Sequence, residues 1–159
     1  MDFLKLLEQL NHHKVEFVIV GGYASMLLGS DMLTQDLDVC VNSTPENWLK
    51  IYEALVDFQP KHRMIKGLPA LTKELIESKQ LNNLYLTTNL GILDCIERVT
   101  GIGNYEEVMR YSKPLKFSDF SVNCLQLEGL ILSKSALNRE KDRQTVLKLK
   151  AIQEKLKGE

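Results

Sequence analysis

Cysteine is scarce in this sequence, with three residues, Cys40, Cys95 and Cys124, in 159. The number is odd, the spacing is wide and there is no CxxC pair, which argues against a disulfide framework or a zinc site. Each lies in an apolar run, where reduced cysteine behaves as a small hydrophobe. Excess charge of either sign is also lacking: 20 Lys and Arg against 21 Asp and Glu leave a net charge of −1. A chain so balanced does not attract nucleic acid as a whole, so any polyanion site has to be a local patch. Long hydrophobic runs are missing too. No apolar stretch approaches the ~20 residues of a membrane span. The opening MDFLKLLEQL scatters charges where a signal peptide would stay apolar. The expectation is a cytoplasmic protein without membrane contact. Repeats, low-complexity segments and linkers are absent as well. With 44% hydrophobic and 26% charged residues, the chain can bury one core. It is expected to form a single domain over 1–159, with its core at about 15–125 and a C-terminal helical part at about 126–157.

Periodicity predicts the elements. Phe3, Leu4, Leu6, Leu7 and Leu10 recur at helical spacing over residues 2–13. VEFVIV, residues 15–20, is a β-branched and aromatic run cut off by Gly21-Gly22, as in a buried strand. YASMLL, residues 23–28, reads as a short helix stopped by Gly29. DLDVCV, residues 36–41, alternates like a strand. Thr44 and Pro45 read as the N-cap and first position of a helix running to about Phe58, with Trp48, Leu49, Tyr52, Leu55 and Val56 as its buried stripe. Residues 59–80 hold a basic cluster, KHRMIKG, then Pro69 and a helical stretch, LTKELIESK. Two strands are expected at 82–87 and 91–98, loop and a short helix at 101–118, and a last strand at 119–125. Two helices are expected at 126–157, broken near Asn138. Strands and helices interleave, which predicts an α/β or α+β fold around one mixed sheet.

Asp36 and Asp38 stand two apart on a strand, so both side chains leave the same face while Leu37, Val39 and Val41 claim the other. Two parallel carboxylates repel unless a cation lies between them. Mg²⁺, a hard ion that takes carboxylate and phosphate oxygens together, suits them. The plainer alternative is two solvated aspartates on an exposed strand. Upstream, a strand ends in Gly21-Gly22 and a helix follows. Glycines there let backbone N–H groups approach a phosphate, although the same turn serves simple strand-to-helix packing. Neither a Walker loop nor a dinucleotide fingerprint is present. Asp94 interrupts the apolar strand GILDCIERV. A buried aspartate is costly without a partner, and a metal or another cation would be one. Lys134 and Asp142 both fall on the inward faces of the C-terminal helices. They form either an ion pair tying the helices or a phosphate contact made by Lys134 and oriented by Asp142.

Together, VIVGGYASMLLGSDMLTQDLDVCV and the later Asp94 resemble the DNA polymerase β-like nucleotidyltransferases. Their signature is a Gly-Gly or Gly-Ser after a strand, a short helix, and an acidic-x-acidic pair about a dozen residues on. The tail LEGLILSKSALNREKDRQTVLKL, with Lys134, Ala136, Arg139, Lys141 and Asp142, looks like a small bacterial branch that includes abortive-infection type toxins. The resemblance spans about Phe17 to Leu149. It implies catalytic and metal-binding roles for Asp36, Asp38 and Asp94, which would hold two Mg²⁺ ions, with Mn²⁺ able to substitute. It implies nucleotide binding by Gly21, Gly22, Thr34, Lys134 and Asp142. Met32 stands where this branch often has an arginine. The implied activity moves a nucleotidyl group from a nucleoside triphosphate such as ATP to an acceptor hydroxyl on a tRNA end, a protein or a small molecule. An antitoxin or a second copy of the chain would be a partner. The rival class is a non-catalytic nucleotide-binding relative.

Other chemistry is poorly supported. His12 and His13 lie side by side with no carboxylate at metal spacing, and no Ser-His-Asp or Cys-His arrangement is visible. Tyr105 either packs or stacks on a base. The segment from Lys134 onward is locally basic, and Lys61, Arg63 and Lys66 are candidates to extend that patch. Such a patch is either an RNA-backbone surface or a solvated helix end.

Overall fold

A computed structural model describes residues 1–78 and 80–158 of the chain. The expected helix stretch ended on Lys79 and the basic tail was counted to Glu159; both lie outside the described residues. The chain opens with α1 (Phe3–His12), capped by the Asp2 side chain on Lys5 N. Strand β1 (Phe17–Val20) leads without a break into α2 (Gly21–Leu27). Strand β2 (Asp36–Val41) has the bounds expected from its alternation. Helix α3 (Pro45–Leu55) begins as read, with the Thr44 side chain accepting from Asn47 N. It ends earlier than expected, tightening into a 3₁₀ turn over Val56–Phe58. Its buried stripe is Asn47, Trp48, Ile51, Ala54 and Leu55. Leu49 and Tyr52 are only partly buried and Val56 is exposed, because the helix is rotated relative to the expected stripe.

The harder middle contains β3 (Lys61–His62) and α4 (Lys73–Ser78). Strands β4 (Asn83–Thr88) and β5 (Gly91–Ile96) form a hairpin. A small ribbon of β6 (Arg98–Val99) and β7 (Gly103–Asn104) precedes α5 (Tyr105–Met109). Strand β8 (Ser112–Lys116) lies where loop was expected, and β9 (Ser121–Leu125) pairs with it. Helices α6 (Leu127–Leu137) and α7 (Glu140–Lys157) close the chain, separated by Asn138 in the left-handed region at φ 50°.

Seven strands make one mixed sheet in the order β3-β4-β5-β2-β1-β9-β8. Strands β2 and β5 run parallel, as do β1 and β9, while β1 and β2 are antiparallel. The core lies against this sheet and includes Leu6, Leu7, Leu10, Ile19, Leu37, Ile51, Leu93 and Leu125, all fully buried. Each such side chain contributes about 1.5–3 kcal/mol by leaving water. Buried Asn47 ties the sheet to α3: its side chain accepts from Glu16 N and donates to the carbonyls of Glu16 and Asn42. The three cysteines are buried and free, and burial pushes the Cys40 and Cys124 thiols up to about 12. Among the described residues, no helix is long and apolar enough to cross a membrane.

Candidate active site

Register brings the acids together. In the parallel pairing of β2 with β5, Asp38 stands opposite Asp94, and Val20, the last residue of β1, stands opposite Asp38 on its other side. Alternation along β2 buries Leu37, Val39 and Val41 completely and leaves Asp36 and Asp38 half-open on the other face. Cys40, farther along that same face, is fully buried, so the open part ends after Asp38. Asp36, Asp38 and Asp94 each offer an oxygen, and these oxygens lie within 4.8 Å of one another.

Electrostatics mark the three acids as a unit. Burial, then the charges of Asp36 and Asp94, push the Asp38 carboxyl up from 3.8 to about 7. Asp94 is also raised, first by burial, with the nearby Arg63 guanidinium pulling the other way. Arg63 Nη2 donates to both oxygens of Asp94. The guanidinium carbon lies 5.7 Å from the centre of the Tyr85 ring. Tyr85 is opposite Asp94 in the β4–β5 pairing, so ring and carboxylate share a face of the sheet. Thr34 braces the other acid, its hydroxyl donating to Asp36 Oδ1 at 3.0 Å.

Because β1 ends opposite Asp38, the glycine turn starts against the acids. Gly21 has φ +69°, and a Cβ there would stand 2.5 Å from Asp38 Oδ2. A Cβ on Gly22 would meet Thr34 Cβ at 3.0 Å. Any other residue at Gly21 would be strained in its backbone and would push into the carboxylate.

The C-terminal helices supply a second charged cluster. Asp142 is fully buried, with Lys134 Nζ at 3.7 Å and Arg139 Nε at 2.6 Å. The Arg139 side chain, with an added backbone bond, holds the Asp142 carboxyl below the usual carboxylate range. Burial draws Lys134 down, while Asp142 and, more weakly, Asp38 pull it back up. The expected Lys134–Asp142 ion pair is therefore present, and Lys134 also lies within the field of the triad. Part of the expected basic flank is engaged internally: Lys148 pairs with Asp31, Lys157 with Glu154, and Arg63 with Asp94. Met32 accepts from the Thr145 hydroxyl at 3.0 Å and so ties its loop to α7. Tyr105 packs against the core.

Three roles escaped the sequence reading: Arg63, Tyr85 and Arg139 as a partner of Asp142. For Arg63 there was a usable signal. An aspartate inside an apolar strand demands a cation, and KHRMIK is a compact basic segment upstream of it.

A strand-turn-helix packed on an acidic strand, with a third carboxylate on the parallel neighbour and helices closing the far end, is the architecture of the nucleotidyltransferase fold. Solved structures agree. LnuA, a lincosamide antibiotic adenylyltransferase crystallised with lincomycin, aligns with a TM-score of 0.62 over 94% of this chain and 95% of its own, at 17% identity. A candidate nucleotidyltransferase from Thermotoga maritima aligns with a TM-score of 0.52 over 99% of this chain and 91% of its own, at 14% identity. At such identities the likeness establishes the fold. No family model matches the sequence, and no curated protein matches it.

Proposed function

We propose that this chain is a metal-dependent nucleotidyltransferase acting on a small-molecule hydroxyl. The observation that carries this is the convergence of Asp36, Asp38 and Asp94 within 4.8 Å, against a glycine turn with no room for a side chain. The donor set fits a divalent cation: all the ligand atoms are hard carboxylate oxygens, and among the described residues no cation is in hydrogen-bond contact with Asp38. A cation such as Mg²⁺ held by these carboxylates would neutralise charge on the transferring nucleotidyl group.

The chain's own residues do the rest. Gly21 and Gly22 let the backbone come close to the triphosphate. Lys134, already in the field of the acids, reaches the leaving phosphates, and Thr34 and Asp142 fix the residues beside them. Asp94, buried beside Tyr85 on the face of the sheet that carries Asp36 and Asp38, takes the acceptor's proton. The acceptor oxygen forms a bond to the α-phosphorus, the bond to the bridging oxygen breaks, and pyrophosphate leaves.

The small-molecule acceptor is favoured by LnuA, whose chain is matched almost end to end and which acts on a lincosamide antibiotic. The test is incubation with each α-labelled nucleoside triphosphate and Mg²⁺, offering a lincosamide, an aminoglycoside or total tRNA. Label is expected on a small molecule and lost in Asp38→Asn. Label on tRNA or on a protein would point to the toxin branch and an antitoxin partner. Absence of both nucleotide binding and pyrophosphate release would refute nucleotidyl transfer.

A further inference from the structure

Arg63 holds Asp94 in an unusual way. A single nitrogen, Nη2, is shared between both carboxylate oxygens. Arginine in a strong pair normally sets two nitrogens against two oxygens. One positive centre between two carboxylate oxygens is instead the seat a metal ion takes on a bidentate carboxylate. The rest of the guanidinium is poorly used. Among the described residues, Nη1 reaches only the Met64 sulfur at 3.3 Å, and Nε is buried with no hydrogen-bond partner. An N–H left unmet makes the pairing costly and therefore replaceable. A second resting place is already in contact: the guanidinium lies over the Tyr85 ring, and Arg63 N donates to Tyr85 O at 3.0 Å. The loop that follows is exposed at Met64, Ile65 and Leu68.

We propose that Arg63 is a resident counter-ion occupying the cation's seat on Asp94, and that the guanidinium gives up this seat, remaining on Tyr85, when the triad loads with metal. Arg63 is then a positioning residue that lowers metal affinity and keeps Asp94 neutralised until loading. The inference rests on the reading of the triad as a metal centre.

The test uses the full chain and Mn²⁺ alone, with no nucleotide, following free Mn²⁺ by electron paramagnetic resonance. Arg63→Met is expected to bind Mn²⁺ about tenfold more tightly than the parent, because a positive charge in contact with a ligand is gone. Without metal the variant should melt below the parent, and the difference should close at saturating Mn²⁺. A merely structural arginine would lower the melting temperature and leave Mn²⁺ affinity alone. Should Arg63→Met not fold without metal, Arg63→Lys, which keeps the charge but loses the planar group, is expected to bind between the two. Equal or weaker binding by the variants overturns the exchange while leaving the metal centre standing. Absence of Mn²⁺ binding by parent and variants alike overturns both.

Discussion

Asp38 links the site to the stability of the whole protein, and Asp38→Asn measures that link. The native carboxyl keeps its proton to about pH 7, whereas the ordinary value is 3.8. The native state therefore binds the proton more tightly than the unfolded state. Its contribution to stability is fully present below 3.8, is lost as pH rises towards 7, and stays lost above. That gap corresponds to about 4 kcal/mol, at about 1.4 kcal/mol for each factor of ten in proton affinity. Asp38 is partly open to solvent, so half of this, about 2 kcal/mol, is the expected size. Asparagine has the same shape and no charge. Thermal melts in EDTA should thus show the variant already somewhat above the parent at pH 5, because the loss begins above 3.8, and farther above it at pH 8. At pH 8 the variant should melt higher by about 4–8 °C, the shift that such an energy gives in a chain of this length. Saturating Mg²⁺ with nucleotide should erase or reverse the gain, because the charge then has a partner. A difference that does not change between pH 5 and pH 8, or a parent that melts higher at pH 8 without metal, would refute the reasoning.

Calorimetry with each nucleoside triphosphate should show binding with Mg²⁺ and little in EDTA; binding indifferent to EDTA would count against the triad as a metal centre. Gly21→Ala should abolish nucleotide binding or unfold the turn, since its Cβ would meet Asp38 Oδ2 at 2.5 Å with φ +69°; unchanged binding would remove the glycine turn from the site. Lys134→Met is expected to weaken nucleotide binding by about 1–3 kcal/mol with a small effect on melting, because Arg139 still holds Asp142. Asp142→Leu should destabilise more, stranding buried Lys134, and the double variant should recover stability; four melts close this cycle. If the basic helix does hold RNA, tRNA binding should fall steeply between low and physiological salt; no binding at low salt leaves α7 a solvated face.

The acids could be read from the sequence because their placement is local. Alternation within DLDVCV fixes both faces of β2, and a charge inside GILDCIERV has to find a partner. The turn was equally legible, since Gly21-Gly22 ends a strand and opens a helix. The Arg63 contact was not, because Arg63 and Asp94 are 31 residues apart and meet only through the β3–β4–β5 register. Strand β8 went unseen because it is an edge: SKPLK carries two lysines and Pro114 and keeps little apolar pattern. Those are the residues by which edge strands avoid further pairing. The stripe on α3 was misjudged because Val56 extends the apolar spacing past the point where the helix tightens, while Asn47, polar in sequence, is buried by its bonds to backbone.

Charge bookkeeping within the fold ties these observations together. Three carboxylates converge, with Arg63 and Lys134 as nearby cations. Arg63 serves Asp94 alone, and Lys134 is shared with Asp142, which Arg139 already holds. Asp38 is left without such a partner, and its burial first, then the charges of Asp36 and Asp94, raise its proton affinity. A fold so arranged tolerates neutral pH by keeping a proton or by taking up an external cation, and the two compete for the same carboxylate. Under the proposed function, a triphosphate arriving with the cation would favour the cation over the proton, because phosphate supplies further hard oxygen ligands. By the same reading, a chain with a net charge of −1 would receive an anionic nucleotide through a cation held at the start of β2, with no overall excess of basic residues.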